Sequence, residues 1–542
     1  MTKGPAMTTE LLIFKSLDFD GAVFVRYSGA ERVQSIRYQL LKDGVVVAER
    51  DAIRPGETAQ FDKQPPGAYQ AKAHIKLADG STSIVDSAPL LVPATSPQPA
   101  SAQAAPAKSL KGGHCFYDNV ENYYLEIKLQ PGGLDKLQNE VGSSSLSTFL
   151  KLKPALSFSL VYSPEVIAKH GGTHFAHFYR IHGAIARDEL IPLAQELETL
   201  DYVIYCSVTP DTTGMKPPEE PPRAGTGAAE PSPPFALGDV TPDFTSRQKY
   251  LGDWATTKTI ALNVRAAWTA GATGRGATVR HLDYGVYRNH EDLGNITVVN
   301  SRPETNDCNH GTASTGCIAA TNNGFGVTGI AYDCQFYFYD TGDLDKIVRD
   351  AQPGDIVGLD IQFSLNGVHV PVIHSKAWWN KIFALSNLRA TVVVAAGNGG
   401  QNLSPEYGLI NDYGDSGSML AGACISTTGR RASFSNYGHY TSLVNAWGDW
   451  SVATTGYGGL QRVSNDRNYT STFSGTSSAT PLSVGALAVL QGYSITKYQN
   501  LLGPYWMRDI LGYTGGTHGE QDLIGRQPNV YSAVLWIDKH ST

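Results

Sequence analysis

Residues 474–492 read SGTSSATPLSVGALAVLQG, a hydroxyl-rich turn that runs directly into an apolar segment of helical periodicity. A serine at the start of a helix lies beside free backbone N–H groups and the positive end of the helix dipole, which can stabilise a developing anion. Ser477 is therefore a candidate nucleophile, although a lone serine at such a position is commonly just a helix N-cap.

Two earlier motifs supply the groups that a serine nucleophile needs. The strand-like run GATVRHLDYG, residues 276–285, contains Asp283, and NHGT at residues 309–312 places His310 at the start of a helix-like stretch. A neutral hydroxyl is a poor nucleophile, so an imidazole must accept its proton and a carboxylate must orient that imidazole. Asp283, His310 and Ser477 together form a candidate catalytic triad.

The surrounding residues 241–542 alternate strand-like apolar runs, such as ATVVVAAGNG, with segments of helical periodicity. Strands that alternate with helices along the chain predict an α/β domain with a mainly parallel sheet. In such a sheet the ends of strands and the starts of helices hold side chains rigidly over one edge.

These motifs resemble the subtilisin-like serine peptidases, in which Asp, His and Ser follow in that order. GTSSATP is close to the family's Gly-Thr-Ser-x-Ala-x-Pro, and HGTASTGCIAA, NHEDL at 289–293 and RASFSNYG at 431–438 match further family segments. The resemblance implies a subtilisin-like catalytic domain that hydrolyses peptide bonds through an acyl-enzyme. The sequence departs from the family at Tyr284, where Ser or Thr is usual.

The resemblance also assigns residues around the triad. Asn398 follows the apolar run TVVVAAG, and in the family an asparagine there donates its side-chain amide to the oxyanion. The family's substrate-binding segments have a weaker counterpart in this sequence, and there we expect substrate contacts from Leu359, Asp360, Ile361, Ala395, Ala396 and Gly397. The resemblance implies no required cofactor. It leaves structural calcium open, and the sequence has no EF-hand-type loop that would assign metal ligands.

The first 240 residues differ from the rest in composition and in hydrophobic pattern. Residues 8–93 contain short alternating strands separated by turns, which predict a small β-sandwich of the immunoglobulin or fibronectin kind. Residues 94–112 are rich in Ala, Pro and Ser and indicate a linker. Residues 113–209 predict a small α+β unit, and the Pro-rich residues 210–240 are a preferred place for proteolytic nicking.

By size and position, residues 113–209 resemble the inhibitory prodomain that commonly precedes a subtilisin-like catalytic domain. We therefore predict a zymogen that cleaves itself between about Cys206 and Phe244. The alternative is that residues 1–209 are binding modules that deliver the peptidase to a target. A non-catalytic scaffold would be expected to lack a triad residue, and none is lost here, while a transferase or ligase using the same acyl-enzyme stays open.

Composition limits the partners. The formal net charge is −7, which argues against a protein that coats nucleic acid. The sequence contains no run of 18 apolar residues and no apolar signal-peptide core, so we expect no membrane partner and either a cytoplasmic location or export by a leaderless route. The expected partners are polypeptide substrates and the chain's own residues 113–209.

Two remaining groups of residues allow several interpretations. Cys308 and Cys317 could pair, although buried free thiols fit a cytosolic protein better. A cluster of histidines could form a metal site, a pH sensor or merely surface and interface contacts: His170, His174, His177 and His182.

Two other classes of hydrolase lack their motifs here. The sequence around His290 lacks HExxH, which argues against a zinc peptidase, and the sequence around Ser477 lacks the G-x-S-x-G elbow, which argues against an α/β-hydrolase.

Overall fold

The computed structural model describes residues 9–17, 21–29, 32–52, 56–94, 110–141, 156–170, 172, 174–219, 240–253, 260–404, 413–438 and 443–541. We refer to residues 10–92 as the N-terminal module, to residues 110–219 as the middle unit and to residues 240–541 as the C-terminal domain. The boundaries follow the sheets, each of which draws most of its strands from one of these regions.

The N-terminal module consists of strands that enclose one hydrophobic core. These are β1 (Glu10–Ser16), β2 (Val23–Ser28), β3 (Val33–Lys42), β4 (Val45–Ala52), β5 (Thr58–Phe61), β6 (Gly67–Leu77), β7 (Thr82–Asp86) and β8 (Leu90–Val92). One sheet contains β1, β2 and β5, and the other contains β3, β4, β6, β7 and β8. Tyr27 from the first sheet and Tyr38 and Tyr69 from the second are buried in the shared core. The immunoglobulin- or fibronectin-like assignment stays a prediction.

The middle unit is a four-stranded antiparallel sheet with two of its three described helices on one face and the third, Pro164–Lys169, at the core shared with the C-terminal domain. Its elements are β9 (Asn122–Leu129), α1 (Gly133–Val141), β10 (Ser157–Leu160), α2 (Pro164–Lys169), β11 (Phe178–His182), α3 (Arg187–Leu197) and β12 (Val203–Asp211). The strand order is β10-β11-β9-β12. Leucines of α3 pack on one face of the sheet, while Phe178 and Tyr205 share a core with the C-terminal domain. Alternation along the strands thus gives the sheet two buried faces.

The C-terminal domain contains a seven-stranded sheet in the order β14-β15-β13-β16-β19-β20-β21, in which every neighbouring pair is parallel. Its strands are β13 (Thr278–Asp283), β14 (Ile296–Val298), β15 (Gln335–Asp340), β16 (Ile356–Leu359), β17 (Gln362–Leu365), β18 (Val368–Pro371), β19 (Thr391–Ala395), β20 (Met419–Cys424), β21 (Leu443–Trp447), β22 (Val452–Thr455), β23 (Tyr469–Phe473) and β24 (Asn500–Leu501). The predicted mainly parallel sheet is confirmed.

The helices of the C-terminal domain cover this sheet. They are α4 (Val264–Thr269), α5 (Cys308–Ala319), α6 (Leu344–Asp350), α7 (Lys376–Asn387), α8 (Thr476–Tyr498), α9 (Pro504–Thr514) and α10 (Val530–His540). Helix α8 is buried continuously from Thr476 to Ile495, as expected of a helix that is apolar on all sides. A side chain at Gly492 would lie 2.5 Å from the carbonyl oxygen of Arg275, so glycine there allows the close approach of two backbones.

The N-terminal module is joined to the C-terminal domain by backbone pairing. Strand β1 lies parallel to β24, with Lys15 opposite Asn500. Phe14 from the module and Leu501 from the domain share a small core, and the buried Arg26 donates to the carbonyl oxygen of Gly276 at 2.6 Å. Within the described part of the chain, no helix has both the length and the apolarity that crossing a membrane requires.

Candidate active site

The three predicted catalytic residues meet at one edge of the parallel sheet. Asp283 is the last residue of β13, His310 lies in the first turn of α5 and Ser477 lies in the first turn of α8. Parallel strands place their carboxyl ends at one edge, where helix N-termini also gather, and this explains why three distant motifs converge. The ends of secondary-structure elements therefore position each of the three groups.

Asp283 and His310 form the expected hydrogen bond. The Nδ1 atom of His310 lies 2.7 Å from Oδ1 of Asp283, and the Asp283 carboxylate is fully buried. Burial opposes ionisation of this carboxyl group, but its electrostatic interaction with His310 and the hydrogen bond from His310 Nδ1 lower the pKa of Asp283. Because Nδ1 donates to the carboxylate, Nε2 of His310 carries the lone pair, and Nε2 has no hydrogen-bond partner among the described residues.

Ser477 faces the same cavity as His310. A small pocket is lined by Pro218, Glu219, His310, Asn398, Tyr457, Phe473, Ser474 and Ser477. Hydroxyl, imidazole and carboxamide thus share one cavity, although no hydrogen bond between Ser477 and His310 is formed in the described structure. Such catalytic hydrogen bonds are often long until substrate is bound.

The side chain of Asn398 is oriented by the residue before Ser477. Its Oδ1 atom accepts hydrogen bonds from the backbone N–H of Thr476 at 2.9 Å and from the Thr476 hydroxyl at 3.0 Å. A backbone N–H can only donate, so the atom facing it must be the oxygen of the carboxamide. The amide nitrogen of Asn398 can then donate a hydrogen bond into the pocket beside Ser477. The oxyanion role of Asn398 stays a prediction that this orientation supports.

Tyr284, the departure from the family motif, packs directly on the imidazole of His310. Its ring meets the His310 ring edge to face, with centroids 5.0 Å apart, and Phe473 contacts the same imidazole at 5.7 Å. The backbone N–H of Tyr284 donates to Oδ1 of Asp283 at 2.6 Å. Tyr284 therefore restricts the movement of His310 in a way that Ser or Thr at this position could not.

The residues predicted to bind substrate lie next to the triad but turn their side chains inward. Leu359, Asp360 and Ile361 are at most 1% exposed, and Ala395 and Ala396 at most 3%. Gly397 has a φ of +97°, and a side chain there would lie 2.8 Å from Nδ2 of Asn436. Any substrate contact along these segments would thus use backbone groups, and the assignment stays a prediction.

The structure also shows a polar network that the sequence analysis missed. His281, Asp283 and Asp360 place one ring nitrogen and two carboxyl oxygens within 4.8 Å of one another, and the hydroxyl of Ser314 lies among them. The signal in the sequence is the presence of polar residues inside two apolar runs: His281 and Asp283 in TVRHLD, and Asp360 in IVGLDI. Buried polar side chains of this kind usually form hydrogen-bond networks that hold a neighbouring polar group in place.

The Pro-rich segment enters the candidate site from the middle unit. After β12 the hydroxyls of Thr212 and Thr341 each donate to the carbonyl oxygen of the other, at 2.6 Å, and the Arg302 guanidinium donates to the carbonyl oxygen of Met215 at 2.7 Å. The segment then reaches the pocket, where Pro218 and Glu219 line the wall beside His310 and Ser477.

The predicted histidine cluster does not form a shared site, and the two neighbouring cysteines do not form a disulfide. His170 and His174 bond to carbonyl oxygens of the C-terminal domain, at Val348 and Asn380, while His182 bonds to Ser159. These histidines therefore do not share a metal. All six cysteines are free, including Cys308 and Cys317.

The buried carboxyl group of Asp292 lies in the NHEDL stretch. Asp292 accepts from Asn323 Nδ2 at 2.8 Å and from the Val327 N–H at 2.7 Å, and burial raises its pKa to about 7. Both carboxyl oxygens face N–H donors, so the described residues here offer no ligand set for the calcium that the family resemblance leaves open.

Comparison with known proteins identifies the C-terminal domain. The model of the subtilase family matches residues 274–521. Subtilisin BL from Lederbergia lenta is 31% identical over 48% of this chain and 91% of its own length. A thermostable alkaline protease from Halalkalibacterium halodurans is 30% identical over 42% of this chain, and the match spans 61% of that protein. Among solved structures, a protease from Pseudoalteromonas arctica covers 55% of this chain at 22% identity, with a TM-score of 0.42.

Proposed function

The chain belongs to the subtilase family, and from that premise we propose that the whole protein is a serine endopeptidase made as a zymogen. The family match makes residues 274–521 a subtilisin-like serine peptidase domain. The observation that carries the proposed activity is the 2.7 Å hydrogen bond between Asp283 and His310, with Ser477 in the same pocket. A subtilase fold that had lost its function would not need this arrangement.

In the proposed reaction, the Ser477 hydroxyl attacks the scissile carbonyl carbon while Nε2 of His310 accepts the hydroxyl proton. Asp283 holds the resulting imidazolium through Nδ1. The oxyanion receives hydrogen bonds from the Asn398 amide and from the Ser477 backbone N–H at the start of α8. His310 then protonates the leaving amine, which leaves an acyl-enzyme. Water, deprotonated by His310, hydrolyses the ester and restores Ser477.

A phosphonate probe tests this assignment directly. A fluorophosphonate should form one covalent adduct, and peptide mapping should place it on Ser477. The neighbouring Ser478 should stay unmodified, because it is fully buried and its hydroxyl donates to the carbonyl oxygen of Trp447 at 2.7 Å. Absence of an adduct from both the intact and the cleaved protein would contradict the peptidase assignment.

The contacts of the middle unit support an inhibitory role. Two lysines of α7 are buried beneath it, and each meets a glutamate. Lys376 lies 2.9 Å from Glu198, and Lys381 lies 3.3 Å from Glu126. Charged side chains that are buried in pairs bind tightly only with correct geometry, which favours a specific contact over a passive linker. With Pro218 and Glu219 beside the triad, this unit would exclude other substrates from the pocket.

Self-cleavage would then occur near Glu219, within the predicted range of about 206–244. Intact mass over time should show wild type separating into two fragments there, while Ser477→Ala stays whole. The adaptor alternative predicts phosphonate labelling of an uncleaved chain, because delivery modules would leave the active site open. Cleavage of the Ser477→Ala protein at the same place in a pure preparation would show that another protease is responsible.

We expect acid to weaken inhibition by the middle unit, because its His170 and His174 are buried against the C-terminal domain. Burial lowers the pKa of both, that of His174 to about 4. A released imidazole would titrate near 6.5, so binding is intact above that pH and is lost as pH falls toward the lowered pKa. From neutral pH to about pH 5, inhibition should weaken about tenfold more in wild type than in a His170→Gln/His174→Gln variant.

The measurement is the rate at which activity appears after cleavage, as a function of pH. A His177→Gln/His182→Gln variant is the matched control, since the His182 ring bonds within the middle unit, to Ser159. Burial raises the pKa of Glu126, so this residue can also titrate in the acid range. Glu126 is present in wild type and in both variants, so its contribution cancels when they are compared. If the two double variants behaved alike, the buried histidines would not set the pH response.

A further inference from the structure

A chain of buried polar groups lies behind Asp283, at the carboxyl oxygen that His310 does not use. Nε2 of His281 lies 2.7 Å from the Ser314 hydroxyl and 3.4 Å from Oδ2 of Asp283. The Ser314 hydroxyl donates to Oδ2 of Asp360 at 2.8 Å. All four residues are at most 1% exposed.

The donors of this network do not satisfy its acceptors. Oδ1 of Asp283 receives two hydrogen bonds, from His310 and from the Tyr284 N–H. Oδ2 has only His281 at 3.4 Å, and the single N–H at Nε2 is already directed at Ser314. Oδ1 of Asp360 is also buried and without a partner among the described residues. A proton shared between the two carboxyl groups would satisfy both oxygens.

The charges lead to the same conclusion. A carboxyl oxygen of Asp360 lies within 4.8 Å of one from Asp283, and two buried carboxylates this close cannot both be ionised at low cost. Asp283 faces His310 and keeps its charge. Burial and the charge of Asp283 raise the pKa of Asp360 well above its ordinary value, against hydrogen bonds from Ser314 and Thr480.

No Lys or Arg forms an ion pair with Asp360 among the described residues. The titratable groups around it come from the end of β13, the residue after it and α5, and they are His281, Asp283, Tyr284 and Cys317. The hydroxyls of Ser314 and Thr480 complete its surroundings. Asp360 is therefore the group that must hold the proton.

We propose that Asp360 is a positioning residue for the triad, a neutral carboxylic acid that donates a hydrogen bond to Oδ2 of Asp283. With His310 and the Tyr284 N–H on one oxygen and Asp360 on the other, the Asp283 carboxylate is fixed in the plane that orients the imidazole. The proton stays on Asp360 throughout the reaction. The inference rests on the proposed peptidase function for its kinetic consequence, but the protonation of Asp360 can be measured without activity.

Infrared spectroscopy tests the protonation state. In the full-length Ser477→Ala protein at neutral pH, the C=O stretch of protonated carboxyl groups should lose one component when Asp360→Asn is added. Asp292, whose pKa burial raises to about 7, contributes a separate component that the Asp360→Asn protein keeps. Asp343→Asn is the matched control, because that carboxylate pairs with Lys346 at 2.8 Å and should remove no component. If the Asp360→Asn protein does not fold, loss of a component well above pH 7, after Asp292 has ionised, gives the same information.

Kinetics test the positioning role. Asp360→Ala should lower kcat about 10²-fold with little change in KM, the cost of a catalytic group held slightly out of place. Asp360→Asn keeps a donor of the same shape and should recover most of that loss. Wild-type kcat/KM should fall at alkaline pH as Asp360 ionises beside Asp283, and Asp360→Asn should lack this limb.

The outcomes separate the inference from the proposed function. Absence of the Asp360 component from the carboxyl band, or an alkaline limb that is identical in wild type and Asp360→Asn, overturns the role of Asp360. Asp360→Asn losing as much activity as Asp360→Ala overturns it as well. If wild type itself shows no activity, the peptidase assignment fails, while the infrared band still decides whether Asp360 is protonated.

Discussion

Ser477→Ala is expected to lower the rate of peptide hydrolysis by about 10⁶-fold, the loss known for the nucleophile of subtilisin. His310 and Asp283 would remain hydrogen-bonded at 2.7 Å, but the pocket would contain no hydroxyl for the imidazole to activate. The residual rate would come from the oxyanion donors and from substrate binding alone. The measurement is kcat/KM for a peptide substrate, on protein whose middle unit has been removed by an added protease.

The matched control is Ser478→Ala, which removes a hydroxyl one residue further along the same helix. Ser478 donates to the carbonyl oxygens of Trp447 and Gly475, at 2.7 and 3.1 Å, so its loss should affect stability by about 1 kcal/mol and leave the chemistry in place. Equal kinetic losses in the two variants would mean that disturbance of the helix start, and not loss of a nucleophile, explains the effect.

Asn398→Leu is expected to lower kcat by about 10²–10³-fold, as removal of one oxyanion donor does in subtilisin. KM should change little, because the amide serves the transition state more than the bound substrate. The measurement is steady-state kinetics on the cleaved protein, together with the rate of self-cleavage, which should fall by a similar factor.

Thr476→Val is the control that tests the orientation of this amide. It removes the hydroxyl that donates to Oδ1 of Asn398 at 3.0 Å and keeps the backbone N–H that donates at 2.9 Å. We expect a loss smaller than that of Asn398→Leu. If kcat of Asn398→Leu equalled that of wild type, the oxyanion would have to be stabilised by backbone N–H groups alone.

The positions of the predicted catalytic residues could be read from the sequence because local structure places each of them. HLDYG ends a strand, and NHGT and GTSSATP open helices, so the three motifs determine where Asp283, His310 and Ser477 lie once the sheet is parallel. Asn398 follows β19 for the same reason. Each of these positions depends on which residues are neighbours along the chain.

The network around Asp360 could not be predicted, because it depends on which strands are neighbours in space. β13 pairs with β16, and this register puts His281 opposite Gly358. A side chain at Gly358 would lie 2.4 Å from Nδ1 of His281, so the ring occupies space that only glycine leaves. The sequence suggested substrate contact for Asp360, since nothing along the chain indicates that its carboxyl group is turned toward Asp283.

The path of the Pro-rich segment is a second example. Composition marks residues 210–240 as Pro-rich, but composition carries no information about the residues that such a segment contacts. The contacts that direct residues 212–219 into the pocket come from Arg302 and Thr341, which follow about 90 and 130 residues later in the chain.

The pairing of β1 with β24 has a consequence for a protein cut near Glu219. Residues 10–92 and the middle unit would then belong to one fragment, and that fragment would contact the C-terminal domain at two separate places. Dissociation at the pocket alone would leave the inhibitor tethered at β24, so its return would be an intramolecular event governed by an effective concentration rather than by dilution. Cleavage and escape from inhibition would thus be two independent steps, and the second would require that the N-terminal strand be released or degraded.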